Sequence, residues 1–189
     1  MSLPPPQDPL QFRALGLVKG LLQPIPDTYG QGLLITEDGG EYPVTPGRVP
    51  LLKRFGRCLE SNQPHWFYVN PQPRPNQVLG FSIIKILSLP ESELEATGQL
   101  DDPDFEPDFP PAPEGVEEAF NIRGTIEARN GAVAVTIQRK PQGNKHFPPL
   151  ILELQGFLPG AQDHEFWDLQ AEREANELIL VDGTCIMGR

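Results

Sequence analysis

The chain has 189 residues, among them 23 prolines, 18 glycines and two cysteines, and a formal net charge of −11 at pH 7. That length allows one large or two small domains, and no apolar run approaches the roughly eighteen residues of a membrane-spanning helix. Cys58 and Cys185 lie far apart, which excludes a disulfide framework and a Cys-x-x-Cys metal site and fits a reducing, cytoplasmic setting.

Residues 1–11, MSLPPPQDPLQ, carry no basic and apolar pattern of a signal peptide and read as a disordered Pro-rich tail. From Phe12 to Leu22 the chain is apolar, with Gly16 and Gly20 inside it, as at a bend or bulge in a strand. Gly32–Thr36 is a second strand, and Asp38-Gly39 is a hairpin turn signal. Glu41–Val44 follows. Its Pro43 cannot donate to a ladder, so an edge position is expected.

One helix is expected after Pro50, a residue tolerated at a helix start. Leu51, Leu52, Phe55, Cys58 and Leu59 form a single apolar stripe, with Lys53, Arg54 and Arg57 on the other side and Arg48 just before. His65–Val69 is a strand by composition, and Gln77–Leu87 another beyond a Pro-rich loop. The order strand, strand, strand, helix, strand, strand over residues 12–90 resembles the OB-fold, a five-stranded barrel with a helix between its third and fourth strands.

The excess charge sits in residues 91–118, which hold eleven acidic residues and no Lys or Arg. Residues 1–90 carry +2 and residues 119–189 carry −2. The low pI therefore describes a segment and does not exclude a nucleic-acid partner for the flanks. Mutual repulsion and five prolines between 103 and 113 predict a disordered acidic linker over 91–118. Phe105 and Phe109 stand among its carboxylates as candidates for docking, with Arg48, Lys53, Arg54 and Arg57 as the basic face they would reach.

Residues 119–189 read as a second barrel-like domain. Phe120-x-x-x-Gly124 repeats the spacing of Phe12 and Gly16, which suggests a divergent duplication. Asn130-Gly131 predicts a two-residue type I′ hairpin turn. Alternating strands follow at 132–140 and 150–158. Residues 165–172 fit a strand, although 165–177 also suits a helix, and a last strand centres on Leu178–Leu180. The fold class is thus mainly β, two small OB-like five-stranded barrels with one α-helix in the first.

Three stretches, Phe12–Gly20, His65–Val69 and Phe157-Leu-Pro-Gly160 continuing to Phe166-Trp-Asp168, resemble a group of uncharacterised cyanobacterial two-domain proteins with OB-fold-like β-barrels. The resemblance implies a cyanobacterial cytosolic protein and supplies no catalytic residues.

No catalytic signature is present: there is no GxSxG, phosphate loop, GxGxxG or HExxH. No cofactor or metal is expected, and Cys58 on the apolar stripe reads as a buried thiol. Two functions follow. The first is a non-enzymatic binding module, an adaptor or regulator with a protein partner. The second is single-stranded nucleic-acid binding, autoregulated by the acidic linker. For the second, Arg48, Lys53, Arg54 and Arg57 would supply charge, and Trp66 and Tyr68 (with Phe81) would supply stacking faces if exposed. The alternative for these aromatics is filling the barrel, which a small barrel requires.

Overall fold

The computed structural model describes residues 3–74, 79–98, 109–141, 143–144 and 146–188. Their strands are β1 (Arg13–Pro24), β2 (Gly32–Ile35), β3 (Glu41–Pro46), β4 (Pro64–Pro73), β5 (Leu79–Leu87), β6 (Ala119–Arg129), β7 (Ala132–Ile137), β8 (Leu150–Gln155), β9 (Phe166–Glu174) and β10 (Glu177–Met187). Two helices, α1 (Leu52–Ser61) and α2 (Glu91–Ala96), lie in the first half. The chain divides into two compact units. One comprises residues 17–70 and 80–118, and the other 3–16, 71–79 and 119–189.

In the first unit the strands run β2-β3-β5-β4-β1, and β1 pairs back onto β2 to close a five-stranded barrel. The second repeats this as β6-β7-β8-β10-β9, closed by β6 on β9. Each has its third strand parallel to its fifth: Val44 opposes Phe81, and Leu154 opposes Leu178. Both units are OB-like barrels. The equivalence extends to single residues. Leu21 opposes Ile35 and Leu34 opposes Tyr42 in one barrel; Thr125 opposes Thr136 and Val135 opposes Leu152 in the other. Leu34, Tyr42, Val44 and Phe81, and their counterparts Val135, Leu152, Leu154 and Leu178, are all buried.

That register corrects the repeat read from sequence. Gly20, one residue before Leu21, corresponds to Gly124, one before Thr125. A Cβ on Gly20 would lie 2.5 Å from the Ile35 carbonyl, and one on Gly124 would lie 2.4 Å from the Thr136 carbonyl. Both positions therefore require glycine for the same crossing of the first strand over the second. Phe12-x-x-x-Gly16 is four residues out of step with Phe120-x-x-x-Gly124. The shared signature is instead Val18-Lys-Gly20 and Ile122-Arg-Gly124.

Helix α1 forms as expected, entered through a 3-10 turn at Val49–Leu51 and ended by Asn62 in the left-handed region at φ 48°. Leu51, Phe55 and Cys58 are buried, whereas Lys53, Arg54 and Arg57 are exposed. Several expectations need correction. β3 is not an edge: it pairs with β2 and β5, and Pro43 is tolerated because the ladder to β5 begins only at Val44. At Asn130-Gly131 only the glycine has positive φ, 76°, so the turn is not type I′. Residues 166–174 are a strand, since β9 pairs on one side with β6 and on the other with β10.

The described ends of the acidic segment are ordered in the first unit. Glu91 and Glu93 lie in the first turn of α2, where carboxylates favour the helix dipole, and Leu94 is buried. The Ser92 N–H donates to Glu114 Oε1 at 3.0 Å and its hydroxyl to Glu114 Oε2, which holds the Glu114 carboxyl below its ordinary range. Ser88 donates to the Pro110 carbonyl at 2.9 Å, and Ala112 donates to the Ser88 carbonyl at 3.2 Å. Phe109 is buried and meets the His65 ring edge-on at 5.1 Å. Burial and these local acceptors outweigh repulsion at the ends of the segment. Phe105 lies outside the described residues.

Candidate functional site

The residues expected to bind are spread over the first barrel. Arg48, Lys53, Arg54 and Arg57 are exposed at and before α1, with Arg48 reaching the Ile84 carbonyl at 3.4 Å. Trp66 is 4% exposed and Phe81 fully buried, so neither ring offers a stacking face; the indole N–H of Trp66 has no partner among the described residues. Tyr68 is half-buried, with Lys85 Nζ 5.8 Å from its ring centre. Sequence reading overlooked Tyr29, 89% exposed in the loop between β1 and β2. The loop approaches α1, for a Cβ on the adjacent Gly30 would lie 3.4 Å from Leu52.

The polar centre of each barrel is a cation on the outward side of its first strand. In the first, Lys19 Nζ lies 2.7 Å from Glu93 Oε2 on α2 and 3.9 Å from Glu37. The Lys19 N–H donates to Glu118 Oε1 at 3.2 Å. In the second, the corresponding residue is Arg123, 2% exposed. Its Nε lies 3.1 Å from Asp168 Oδ2, an ion pair whose N–H is not aimed at the oxygen. Asn121 Nδ2 donates to Asp168 Oδ1 at 2.5 Å, and Phe166 lies 5.7 Å from the Arg123 guanidinium.

What covers Arg123 is the N-terminal stretch, expected to be disordered. Arg123 donates from Nη1 to the Asp8 carbonyl at 3.1 Å and from Nη2 to the Pro9 carbonyl at 2.6 Å. Arg13 donates to the Pro4 carbonyl at 2.7 Å. Phe12 meets Phe166 edge-on at 5.1 Å. Burial lowers the Arg13 guanidinium below its ordinary pKa; Asp168 opposes the shift and Arg123 adds to it. Prolines lower the entropy lost when this stretch is ordered, and the two arginines supply the donors that its carbonyls need.

Elsewhere the second barrel has little built for gripping. The outward face of β6, β7 and β8 presents Arg129 between Glu127 at 3.8 Å and Glu153 at 3.4 Å. Basic and aromatic side chains gather in the β7–β8 loop, where Arg139, Lys140 and His146 are exposed and Phe147 is 38% exposed. The carboxylates near His164 are engaged locally. Asp163 accepts from the Ala128 N–H at 2.8 Å, and Glu165 accepts from the Gln162 N–H and the Trp167 indole, both at 3.0 Å.

Cys58 lies 3.5 Å from His65 Nδ1, which itself sits 2.8 Å from the Gln63 carbonyl. A carbonyl only accepts, so Nδ1 carries the proton and cannot take one from the thiol. Burial pushes the Cys58 thiol up to about 12. The pair is structural.

Residues 122–187 match a family described as cyanobacterial OB-fold-like RNA-binding domain, C-terminal. The second barrel is therefore similar to that cyanobacterial OB-fold-like family. The match spans almost all of the second barrel, from Ile122 in β6 to the end of β10, and includes Arg123, Asp168 and the β7–β8 loop. Neither a curated protein nor a solved structure matches the chain. OB barrels bind through the face of their second and third strands and the loops beside it. In the second OB-like barrel the turns at 130–131 and 175–176 are too short to serve as arms, and the connection from β7 to β8 is its longest in sequence. No helix among the described residues is long and apolar enough to cross a membrane.

Proposed function

We propose that this chain is a non-enzymatic single-stranded RNA-binding protein. The observation that carries this reading is the match of its second barrel to a family described as RNA-binding. The β7–β8 loop supplies charge from Arg139, Lys140 and His146 and a stacking ring from Phe147. The first barrel has the exposed ring of Tyr29 and the exposed cations Lys53, Arg54 and Arg57. Successive bases stack on aromatic rings while cations follow the phosphates, which gives binding that tolerates sequence and depends on salt.

Fluorescence anisotropy with a short oligouridylate tests this. Affinity should fall steeply with salt, and Arg139→Gln with Lys140→Gln should flatten the logarithmic slope by about 1.4, two single-strand phosphate contacts. An intact chain that does not bind at low salt ends the reading. The acidic segment would compete with RNA for the first barrel; the ion pair of Glu93 with Lys19 supports this reading. Neutralising its carboxylates should tighten binding at low salt and have no effect near about 1 M, where screening reaches a few ångströms.

An adaptor role has separate support in the exposed apolar side chains of the second unit, Ile151, Phe157, Val181 and Met187. High salt separates the two readings, because apolar contacts survive it and phosphate contacts do not.

A further inference from the structure

The two barrels place a cation at the same register position, and each is covered by chain from outside the barrel's strands. At Lys19 the cover is anionic, with Glu93 at 2.7 Å and Glu37 at 3.9 Å. At Arg123 it is neutral: the carbonyls of Asp8 and Pro9, with that of Pro4 on Arg13 alongside. The Asp8 carboxylate is turned to its own turn, accepting from the Leu10 N–H at 2.8 Å. Asp168 is the carboxylate paired with Arg123, its field also reaches Arg13, and it already accepts a 2.5 Å bond from Asn121, which donates as well to the Leu169 carbonyl. Two guanidiniums, Arg123 buried and Arg13 half-buried, thus stand against this one carboxylate.

Paired N–H groups of a guanidinium match two oxygens of a phosphate, and a charged acceptor makes a bond roughly twice as strong as a neutral one. Phe166 and Phe12, at 5.1 Å from each other, form an aromatic wall beside the guanidinium. We propose that Arg13 and Arg123 form a phosphate site on the outer wall of the second barrel, held closed by the carbonyls of residues 4–9 and opened when a phosphodiester backbone displaces that strap. The anion site stands on the geometry; only its ligand, single-stranded RNA, rests on the function proposed above.

Two measurements test it. The first compares the intact chain with one lacking residues 1–9, using inorganic tripolyphosphate and a short oligouridylate as probes, after thermal melts have shown that the shortened chain folds. The shortened chain should bind tripolyphosphate about tenfold more tightly, as two charge-assisted contacts become available, and Arg123→Gln in that background should abolish the gain. The second follows amide hydrogen exchange in the intact chain. The N–H groups of Gln7, Leu10 and Gln11 are bonded within the strap and should exchange faster when either probe binds. Equal tripolyphosphate affinity for both chains, or unchanged exchange at saturating probe, overturns the proposal. If RNA binds neither chain while tripolyphosphate still distinguishes them, RNA binding falls and the anion site stands. If RNA binds both equally and leaves exchange unchanged, RNA binding stands and the strap is only structural.

Discussion

The first and second barrels share every strand pairing that closes them, yet they treat the same outward position differently. Lys19 is 21% exposed on its side chain and held by solvent-accessible carboxylates; Arg123 is 2% exposed and held by one carboxylate and a strap of carbonyls. The barrel supplies a slot for a cation one residue before its strand-crossing glycine. Chain from beyond the barrel decides whether that slot becomes a solvated ion pair or a buried charge. The arms differ in the same way. The first barrel extends its β1–β2 loop, with Tyr29, and inserts α1, whereas the second shortens that turn to two residues and extends the loop between β7 and β8.

Removing the two cations should separate the barrels most. Arg123→Met removes the ion-pair partner of Asp168 and the donors to two carbonyls and should cost about 3 kcal/mol. Lys19→Met removes a partly exposed pair and should cost about 1 kcal/mol or less. Urea melts, with residue-resolved exchange to assign each loss to its barrel, would measure both. Equal costs would mean that the strap does not bury Arg123 in solution.

Gly20→Val and Gly124→Val test the likeness instead. Each added side chain meets a backbone carbonyl that cannot swing aside, so each should cost about 2 to 3 kcal/mol in its own barrel. The change at Gly16 meets the buried Phe120 ring at 2.2 Å rather than backbone. If Gly16→Ala matched the loss at Gly124 and Gly20→Val did not, the repeat would follow the Phe-x-x-x-Gly spacing after all.

The smallest difference is one of pH. Cys58, buried in the first barrel, has its thiol raised from 9.0 to about 12. A raised acid keeps its proton in the folded state while the unfolded chain loses it. The stability involved is fully present below about pH 9 and is lost as pH rises towards 12. Thermal melts between those limits should show the first barrel weakening with pH, and Cys58→Ala should remove that part of the slope. An unchanged slope in the variant would assign the loss to other groups.

Much of this was legible in the residues. Alternation marked the strands, the stripe from Leu51 to Leu59 marked α1, and the glycine at 131 marked a turn, because each depends on neighbours a few residues apart. The site was harder to see. Nothing in Arg123 itself distinguishes it from Arg129 six residues further along the same strand, yet one is 2% exposed and the other paired at the surface with Glu127 and Glu153. A signal did exist in the matched Lys19-Gly20 and Arg123-Gly124, but the louder Phe-x-x-x-Gly spacing obscured it.

By itself, then, the sequence determined two barrels of five strands, the helix in the first and the charge held by residues 91–118. Local periodicity and turn chemistry are short-range, and they survive in any tertiary setting that buries one face. Only the tertiary structure decided that Pro4–Pro9 would lie across Arg13 and Arg123, that Phe109 would meet His65, and that Trp66 would be buried. A strand's outward residues look alike until chain distant in sequence covers some of them, and which ones it covers depends on donors and acceptors that local spacing does not bring together.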